Sequence, residues 1–323
     1  MRSTSQVLII ALAFLTTTGA AVAAQPAWAY AIAPPRPEGA PAPTPPPPDP
    51  SAKHLSGSTA EFTRAQITNM FAPADWYPGD HPPMPDVVAK GRMPEVRRCS
   101  FCHYPNGKGR PENAGVAGLP VSYFVQTLND FRNGDRKSSE PRKANTNTMI
   151  AIAKGMTDEE MKQAAEYFAS MKWTPWMKVV ETTMVPKTRL QGMFITLPGG
   201  EKEPLGQRII ETPVDGDATQ LFDSRSSFIV YAPVGSVKKG EELVTKGMGK
   251  TSQCGVCHGA DLKGLGPVPG LAGRSPSYLA RQLYDMQQGA RKGVWTELMR
   301  PVVVNLNEED ILNIAAYTAS LAP

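Results

Sequence analysis

The stretch Cys99-Ser100-Phe101-Cys102-His103 decides the fold of this chain, and it recurs as Cys254-Gly255-Val256-Cys257-His258. Both stretches have the pattern C-x-x-C-H, the attachment signature of c-type haem. Residues three and four apart share a face of a helix, so the two thiols can meet the two vinyl groups along one edge of a porphyrin. The histidine then lies under the iron. The sequence therefore predicts two covalent haems, with iron ligands at His103 and His258.

Other uses of the four cysteines fit this pattern less well. Two C-x-x-C pairs that share one zinc are typically about 15–20 residues apart, whereas these pairs lie in opposite halves of the chain. A redox dithiol needs no histidine directly after it in both copies. A disulfide that closes so short a loop stabilises little. No cysteine lies outside the two motifs, so haem attachment accounts for all of them.

The two motifs belong to an internal repeat. An offset of 155 residues aligns both motifs, and it also aligns Tyr123 with Tyr278 and Arg136 with Arg291. After one loop of unequal length the offset becomes 150, and Tyr167 then falls on Tyr317. We interpret this as one domain duplicated, with the first repeat at 85–173 and the second repeat at 237–323.

Each repeat is predicted to be helical, which makes the fold mainly α. Residues 123–133 and 278–288 have the apolar spacing of a helix, and each run is followed by a glycine that can end it. The last helix of each repeat is predicted to begin after Thr157 or Asn307. Glu160 completes a capping box with Thr157, while Asp310 is a shorter carboxylate that suits the helix dipole. No strand pattern is found inside either repeat.

The repeat also predicts a sixth iron ligand. Met149 and Met299 coincide under the repeat and lie before the last helix of each copy, and a thioether favours ferrous iron and raises the potential. Met93 and Met248 also coincide, but they precede the first cysteine and belong to the histidine side. A bis-histidine site, with His54 or His81 in place of Met149, is the alternative. Most other methionines are predicted to be core residues.

Each repeat resembles a class I cytochrome c domain, and the tandem resembles the dihaem cytochromes of the cytochrome c4 type. The resemblance rests on CSFCH and CGVCHG, followed by SYFVQTLNDFRNGDRK and SYLARQLYDMQQGARK. It implies helices wrapped around each haem, histidine–methionine iron in both domains and electron transfer between two close haems. It also implies that four side chains lie near haem propionates, namely Tyr123, Arg136, Tyr278 and Arg291.

One departure from the family pattern concerns the ligating histidines. In the family, the carbonyl of a proline accepts a hydrogen bond from the other ring nitrogen and fixes the ring. Pro269 fits this role, whereas the first repeat has Ala114. The geometry of that bond in the first repeat is therefore an open question, and the two haems are expected to differ in potential.

The remaining segments carry other predictions. Residues 1–24 have the charge, apolar run and small-residue end of an export signal, which predicts a periplasmic protein. An uncleaved N-terminus is the rival interpretation and the one route to membrane association. Residues 25–54 are predicted to be a proline-rich disordered tether, and residues 55–84 an extended segment on the first domain. Residues 174–236 contain two β-prone runs, 208–211 and 228–231, which predict a small hairpin that serves as a partner-docking surface or as a brace.

The formal net charge is +4, and no polybasic run with interleaved aromatics occurs, so nucleic acid is not an expected partner. Three functions are considered. The first is a periplasmic respiratory carrier of single electrons that is not itself an enzyme, between a donor dehydrogenase or cytochrome complex and an acceptor oxidase. The second is the electron-accepting subunit of a periplasmic dehydrogenase complex. The third is a dihaem peroxidase, which two symmetric methionine ligands argue against.

Overall fold

The computed structural model describes residues 25–33, 39 and 49–323. The export signal predicted at 1–24 lies outside the described residues, as does most of the proline-rich run that follows it. Within the described part of the chain, no helix has both the length and the apolar character that a bilayer span requires.

The amino-terminal part contains short elements, which are α1 (Ala27–Tyr30), β1 (Ala52–Lys53), β2 (Phe62–Thr63) and α2 (Arg64–Ile67). The side chains of Trp28 and Tyr30 are buried in α1 and pack into the core of the second repeat. The prediction of a disordered tether over 25–54 is therefore wrong for residues 25–33. Two aromatic rings there offer enough apolar surface to order a turn, although the composition nearby is dominated by proline.

The first repeat contains two short helices and two short strands, followed by three longer helices. These elements are α3 (Asp86–Ala89), β3 (Gly91–Arg92), β4 (Val96–Arg97), α4 (Ser100–His103), α5 (Val121–Asn133), α6 (Ala144–Gly155) and α7 (Asp158–Ala169). Helix α5 ends at Gly134, which has a left-handed backbone as predicted. The capping box of Thr157 and Glu160 is confirmed at the start of α7. Met149 lies inside α6.

The insert between the repeats is richer in strands than the sequence indicated. Its elements are β5 (Met177–Glu181), β6 (Met184–Pro186), β7 (Thr188–Gln191), β8 (Met193–Thr196), β9 (Lys202–Pro204), β10 (Ile210–Pro213), α8 (Gly216–Gln220) and β11 (Phe228–Ala232). The two β-prone runs do form antiparallel strands, β10 and β11. They are not a tight hairpin, because α8 lies between them, and β5 completes the sheet by pairing parallel to β11.

The second repeat reproduces the first with small differences. It contains α9 (Ser236–Lys246), α10 (Gly255–His258), β12 (Gly264–Leu265), β13 (Val268–Pro269), α11 (Pro276–Gln287), a 3-10 turn (Val294–Leu298), α12 (Arg300–Val303) and α13 (Glu308–Ser320). Asn307 and Asp310 form a complete capping box, so the shorter carboxylate still reaches the backbone of Asn307. The two-residue pairs β3–β4 and β12–β13 correct the expectation that the repeats contain no strand.

Each repeat has its own hydrophobic cluster. The predicted face of α7, including Met161 and Phe168, is buried in the first cluster. Ile311 and Ala315 of α13 are buried in the second cluster, which also takes up Val230 of the insert. The described part of the chain is thus mainly helical, with several small sheets.

The segment 55–84 packs against the insert as well as the first repeat. The backbone N–H of Arg98 donates to the carbonyl of Met70 at 3.0 Å. Trp76 donates its indole N–H to the carbonyl of Leu221 at 2.8 Å. Leu55, Ile67, Trp76 and Tyr77 form a third cluster, packed against residues 218–222. The two segments that lie outside the repeat therefore meet each other.

Candidate haem sites

The first motif lies on the short helix α4, where the backbone N–H of His103 donates to the carbonyl of Cys99 at 3.0 Å. This turn brings both thiols and the imidazole to one side. His103 Nδ1 donates to the carbonyl of Ala114 at 2.8 Å, which leaves Nε2 for a metal. Burial lowers the pKa of His103, and the carbonyl bond only partly opposes that shift. The imidazole is thus neutral, which is the form that binds iron.

The second motif has the same arrangement on α10. His258 Nδ1 donates to the carbonyl of Pro269 at 2.8 Å, and burial lowers the pKa of this histidine as well. The hydrogen bond in the first repeat has the same length, although Ala114 stands where the second repeat has a proline. The loop before the middle helix of the first repeat therefore holds the carbonyl of Ala114 at the same distance without a proline ring.

A cavity of about 320 Å³ opens beside the first motif. It is lined by Cys99, Cys102 and His103 of the motif and by Met149 of α6. The structure thus brings together the four residues that the sequence assigned to the first haem. Arg136, together with Tyr278 and Gln282 of the second repeat, also borders the cavity, which therefore reaches the contact between the repeats.

In the second repeat, Met299 follows the 3-10 turn and is half-buried. It packs against the same hydrophobic cluster as Cys254. The residues predicted to hold the second haem, Cys254, Cys257, His258 and Met299, are therefore contributed by α10 and by the segment before α12.

The chemistry of the cysteines fits covalent attachment. All four are free thiols. Burial raises the pKa of the Cys99 thiol to about 12 and that of Cys254 to about 11. Free thiols are what attachment requires, because addition of S–H across a vinyl group of the porphyrin forms a thioether.

The four residues that the resemblance placed near propionates are paired across the two repeats. Arg136 donates to Tyr278 Oη at 3.0 Å, and Arg291 donates to Tyr123 Oη at 2.9 Å. Both guanidinium groups also donate to Gln282. Arg136 and Arg291 form a β-bridge with each other, so the two repeats meet about a local twofold relation.

The guanidinium groups of Arg136 and Arg291 are positively charged and can still bind the carboxylates of a haem. Burial alone would raise the pKa of Tyr123, but Arg291 and Arg136 lower it to about 8. Arg291 Nε is buried and has no hydrogen-bond partner among the described residues. Thiols, a neutral imidazole, a thioether and buried guanidinium groups together fit a haem with its propionates at the contact between the repeats.

Sequence patterns did not reveal the residues that join the repeats. Arg274 donates to the carbonyls of Gly115 and Ala117 in the first repeat, and Arg281 donates to the carbonyl of Pro111. Lys143 donates to the carbonyl of Tyr30, and burial lowers its pKa to about 7. Arg281, which stands among apolar positions of α11, was the available signal, but nothing in the sequence shows what it faces.

The chain is similar in sequence to known cytochromes c. A sequence model of the cytochrome c family matches residues 88–172. Cytochrome c-554(548) of Halomonas halodenitrificans is 43% identical over 75 residues, which are 23% of this chain and 90% of that protein. Cytochrome c4 of Pseudomonas aeruginosa is 40% identical over 75 residues, or 23% of this chain and 36% of that protein.

A longer match is the thiosulfate dehydrogenase electron acceptor of Stutzerimonas stutzeri, which is 24% identical over 237 residues, 72% of this chain and 82% of that protein.

This chain belongs to the cytochrome c family. Within that family it is a dihaem cytochrome similar to the cytochromes c4, and it carries covalently attached haem c.

Proposed function

We propose that this protein carries single electrons in a periplasmic respiratory chain. It carries them on two haems, and each iron has one histidine and one methionine as its axial ligands. The observation that carries the proposal is the cavity that joins His103 to Met149. A site with a protein ligand on each face shuttles electrons without binding a substrate. The two repeats are proposed to be tandem domains, 85–173 and 237–323, with Met299 as the matching ligand to His258.

The bound haem supplies a one-electron change between ferric and ferrous iron. The chain supplies the rest. Ala114 and Pro269 fix the histidine rings, the two hydrophobic clusters exclude water, and Arg136 and Arg291 offer charge to the propionates. Because the cavity reaches Tyr278 and Gln282 of the other repeat, the haems are expected to exchange electrons across this contact.

Ligation is tested by exchanging each methionine in turn. Ferric iron bonded to methionine sulfur gives a weak near-red absorption band. Met149→His and Met299→His should each remove about half of that band and lower the potential of one haem. Met171→His is the control, because that partly buried methionine lies outside the cavity. A full band in either test variant would reject the corresponding ligand.

A second proposal is that the electrons come from a periplasmic dehydrogenase. It is supported by the similarity, over 72% of this chain, to a relative that is named as the electron acceptor of thiosulfate dehydrogenase. The test mixes the ferric protein with a purified thiosulfate dehydrogenase and thiosulfate, and follows haem reduction. Reduction only by other respiratory donors would favour the general carrier. Turnover of hydrogen peroxide would instead indicate a peroxidase, which two closed irons should not support.

A further inference from the structure

The two haem motifs differ in what covers them. The second cysteine of each motif forms a bond to the porphyrin edge, so its surroundings report how open that edge is. Cys257 is exposed, whereas Cys102 is half-buried. Val256, which precedes Cys257, is 70% exposed, whereas Phe101, which precedes Cys102, is half-buried. The two edges are therefore not equally accessible.

The cover over the first motif comes from the insert. We define the cap segment as residues 218–225. Its Phe222 packs on the ring of Phe101, with 5.1 Å between ring centroids, and on Tyr104 at 6.2 Å. The guanidinium of Arg110 lies 4.8 Å from the centroid of the Phe222 ring. Three side chains of the first repeat thus converge on one phenylalanine.

The first repeat differs from the second at each of these contact positions. Phe101, Tyr104 and Arg110 correspond under the repeat to Val256, Gly259 and Leu265. Leu265 is 60% exposed. Tyr104 has a φ of 60°, in the left-handed region where the second repeat has a glycine. The first repeat therefore keeps a large aromatic side chain in a backbone conformation that disfavours it, and that side chain contacts the cap.

The cap segment is itself held on several sides. Trp76 and Arg64 of the amino-terminal segment donate to the carbonyls of Leu221 and Gln220 at 2.8 and 2.6 Å. Arg225 forms an ion pair with Asp80 at 2.6 Å. Asn106 of the first repeat donates to the carbonyl of Ser224 at 2.5 Å. Phe222 also has a φ of 64°, so its ring position is fixed against a local backbone preference.

We propose that Phe222 closes the thioether edge of the first haem to outside redox molecules, so that the protein exchanges electrons with its surroundings through the second haem. This inference rests on the proposed electron-transfer function and assigns the partner-facing edge. Phe222 acts as a specificity-determining residue, because it decides which haem an outside molecule can approach.

The test uses the fully reduced holoprotein and measures how closely a neutral gadolinium chelate can approach the thioether edge of each haem. In the wild type, the thioether proton resonances of the second haem should relax severalfold faster on adding the chelate, and those of the first haem should change little. Phe222→Ala should raise the effect at the first haem severalfold. Phe222→Leu should restore most of the shielding. Phe194→Ala, another insert phenylalanine that packs elsewhere, should leave both haems unchanged.

Equal enhancement at both haems of the wild type would overturn the proposal, as would an unchanged first haem in Phe222→Ala. The wild-type comparison needs no variant, so poor folding of Phe222→Ala does not remove the test. Arg225→Ala, which loosens the cap but keeps the ring, should give an intermediate increase at the first haem. The measurement does not involve electron transfer. A failure of the proposed carrier function would show instead as a near-red band too weak for two irons bonded to methionine.

Discussion

Arg274 offers a quantitative test of how the two repeats are joined. It is 5% exposed, and its guanidinium donates to the carbonyls of Gly270, Gly115 and Ala117 at 2.7, 2.8 and 3.2 Å. It also stacks on Trp173 at 4.4 Å. Two of the three carbonyls belong to the other repeat. Replacement by alanine would leave them buried without a partner.

Hydrogen bonds from a charged donor contribute about 1.5–3 kcal/mol each, so three give an upper bound near 4.5–9 kcal/mol. Removing the guanidinium also removes its desolvation cost, and burial is what lowers the pKa of Arg274 to about 10. That relief is worth several kcal/mol. We therefore expect Arg274→Ala to lower the free energy of unfolding by about 3 kcal/mol.

The assay is guanidinium unfolding of the holoprotein, followed by tryptophan fluorescence and by the haem absorption band. Arg300→Ala is the matched control, since Arg300 is 70% exposed and pairs with Glu297 at 3.3 Å. It should cost no more than about 0.5 kcal/mol. In Arg274→Ala the two probes should also separate, because the repeats lose a shared contact. This account would be refuted if Arg274→Ala lowered the free energy of unfolding by less than about 1 kcal/mol and the two probes still reported the same transition.

Three further changes have defined outcomes. Burial alone would lower the pKa of His81, but its bonds to Asp75 and to the carbonyl of Pro82 raise it. That stability is present below about pH 6.5 and is lost as pH rises through the folded pKa, so His81→Gln should cost most at pH 5.5 in unfolding titrations. Tyr30→Phe removes a buried 2.6 Å bond to Asp285 and should cost about 1–3 kcal/mol. Pro269→Ala should barely shift the potential of the second haem in a redox titration, because Ala114 already holds the equivalent bond.

The elements that local patterns specify were predictable. The haem motifs, the helix after Pro120, and the capping boxes at Thr157 and Asn307 all follow from spacing within a few turns of chain. The repeat also predicts Met149 as an iron ligand, since the same residue type recurs at the equivalent position, and Met149 lines the cavity beside the first motif. These features depend on neighbours in sequence, which a sequence displays directly.

The contacts between segments were not predictable in the same way. The pairing of Arg136 with Tyr278 depends on how two similar surfaces meet, and neither copy encodes that alone. The proline-rich run next to Trp28 and Tyr30 led to a prediction of disorder there, so their burial was not expected. Phe222 is a single aromatic in a polar loop, and its partners Phe101 and Tyr104 lie far away in the chain. Burial of such residues depends on tertiary packing.

The cap segment also offers a different cause for the expected difference in potential between the two haems. The sequence located it at Ala114 and Pro269, yet both carbonyls accept the histidine bond at 2.8 Å. The difference that the structure shows is exposure at Cys102 and Cys257. Ferric iron carries one more positive charge than ferrous iron, so shielding from water and nearby cations favour the ferrous state.

Arg98, Arg110 and Arg136 border the first cavity, and Phe222 packs on Phe101, which also lines it. The first haem should therefore have the higher potential. Potentiometric titration of the wild type, with each haem assigned by its own resonances, measures the order. Phe222→Ala should narrow the gap by lowering the first potential. A first haem with the lower potential in the wild type would mean that burial at the thioether edge is outweighed by another charge, and the cap could not then be the source of the asymmetry.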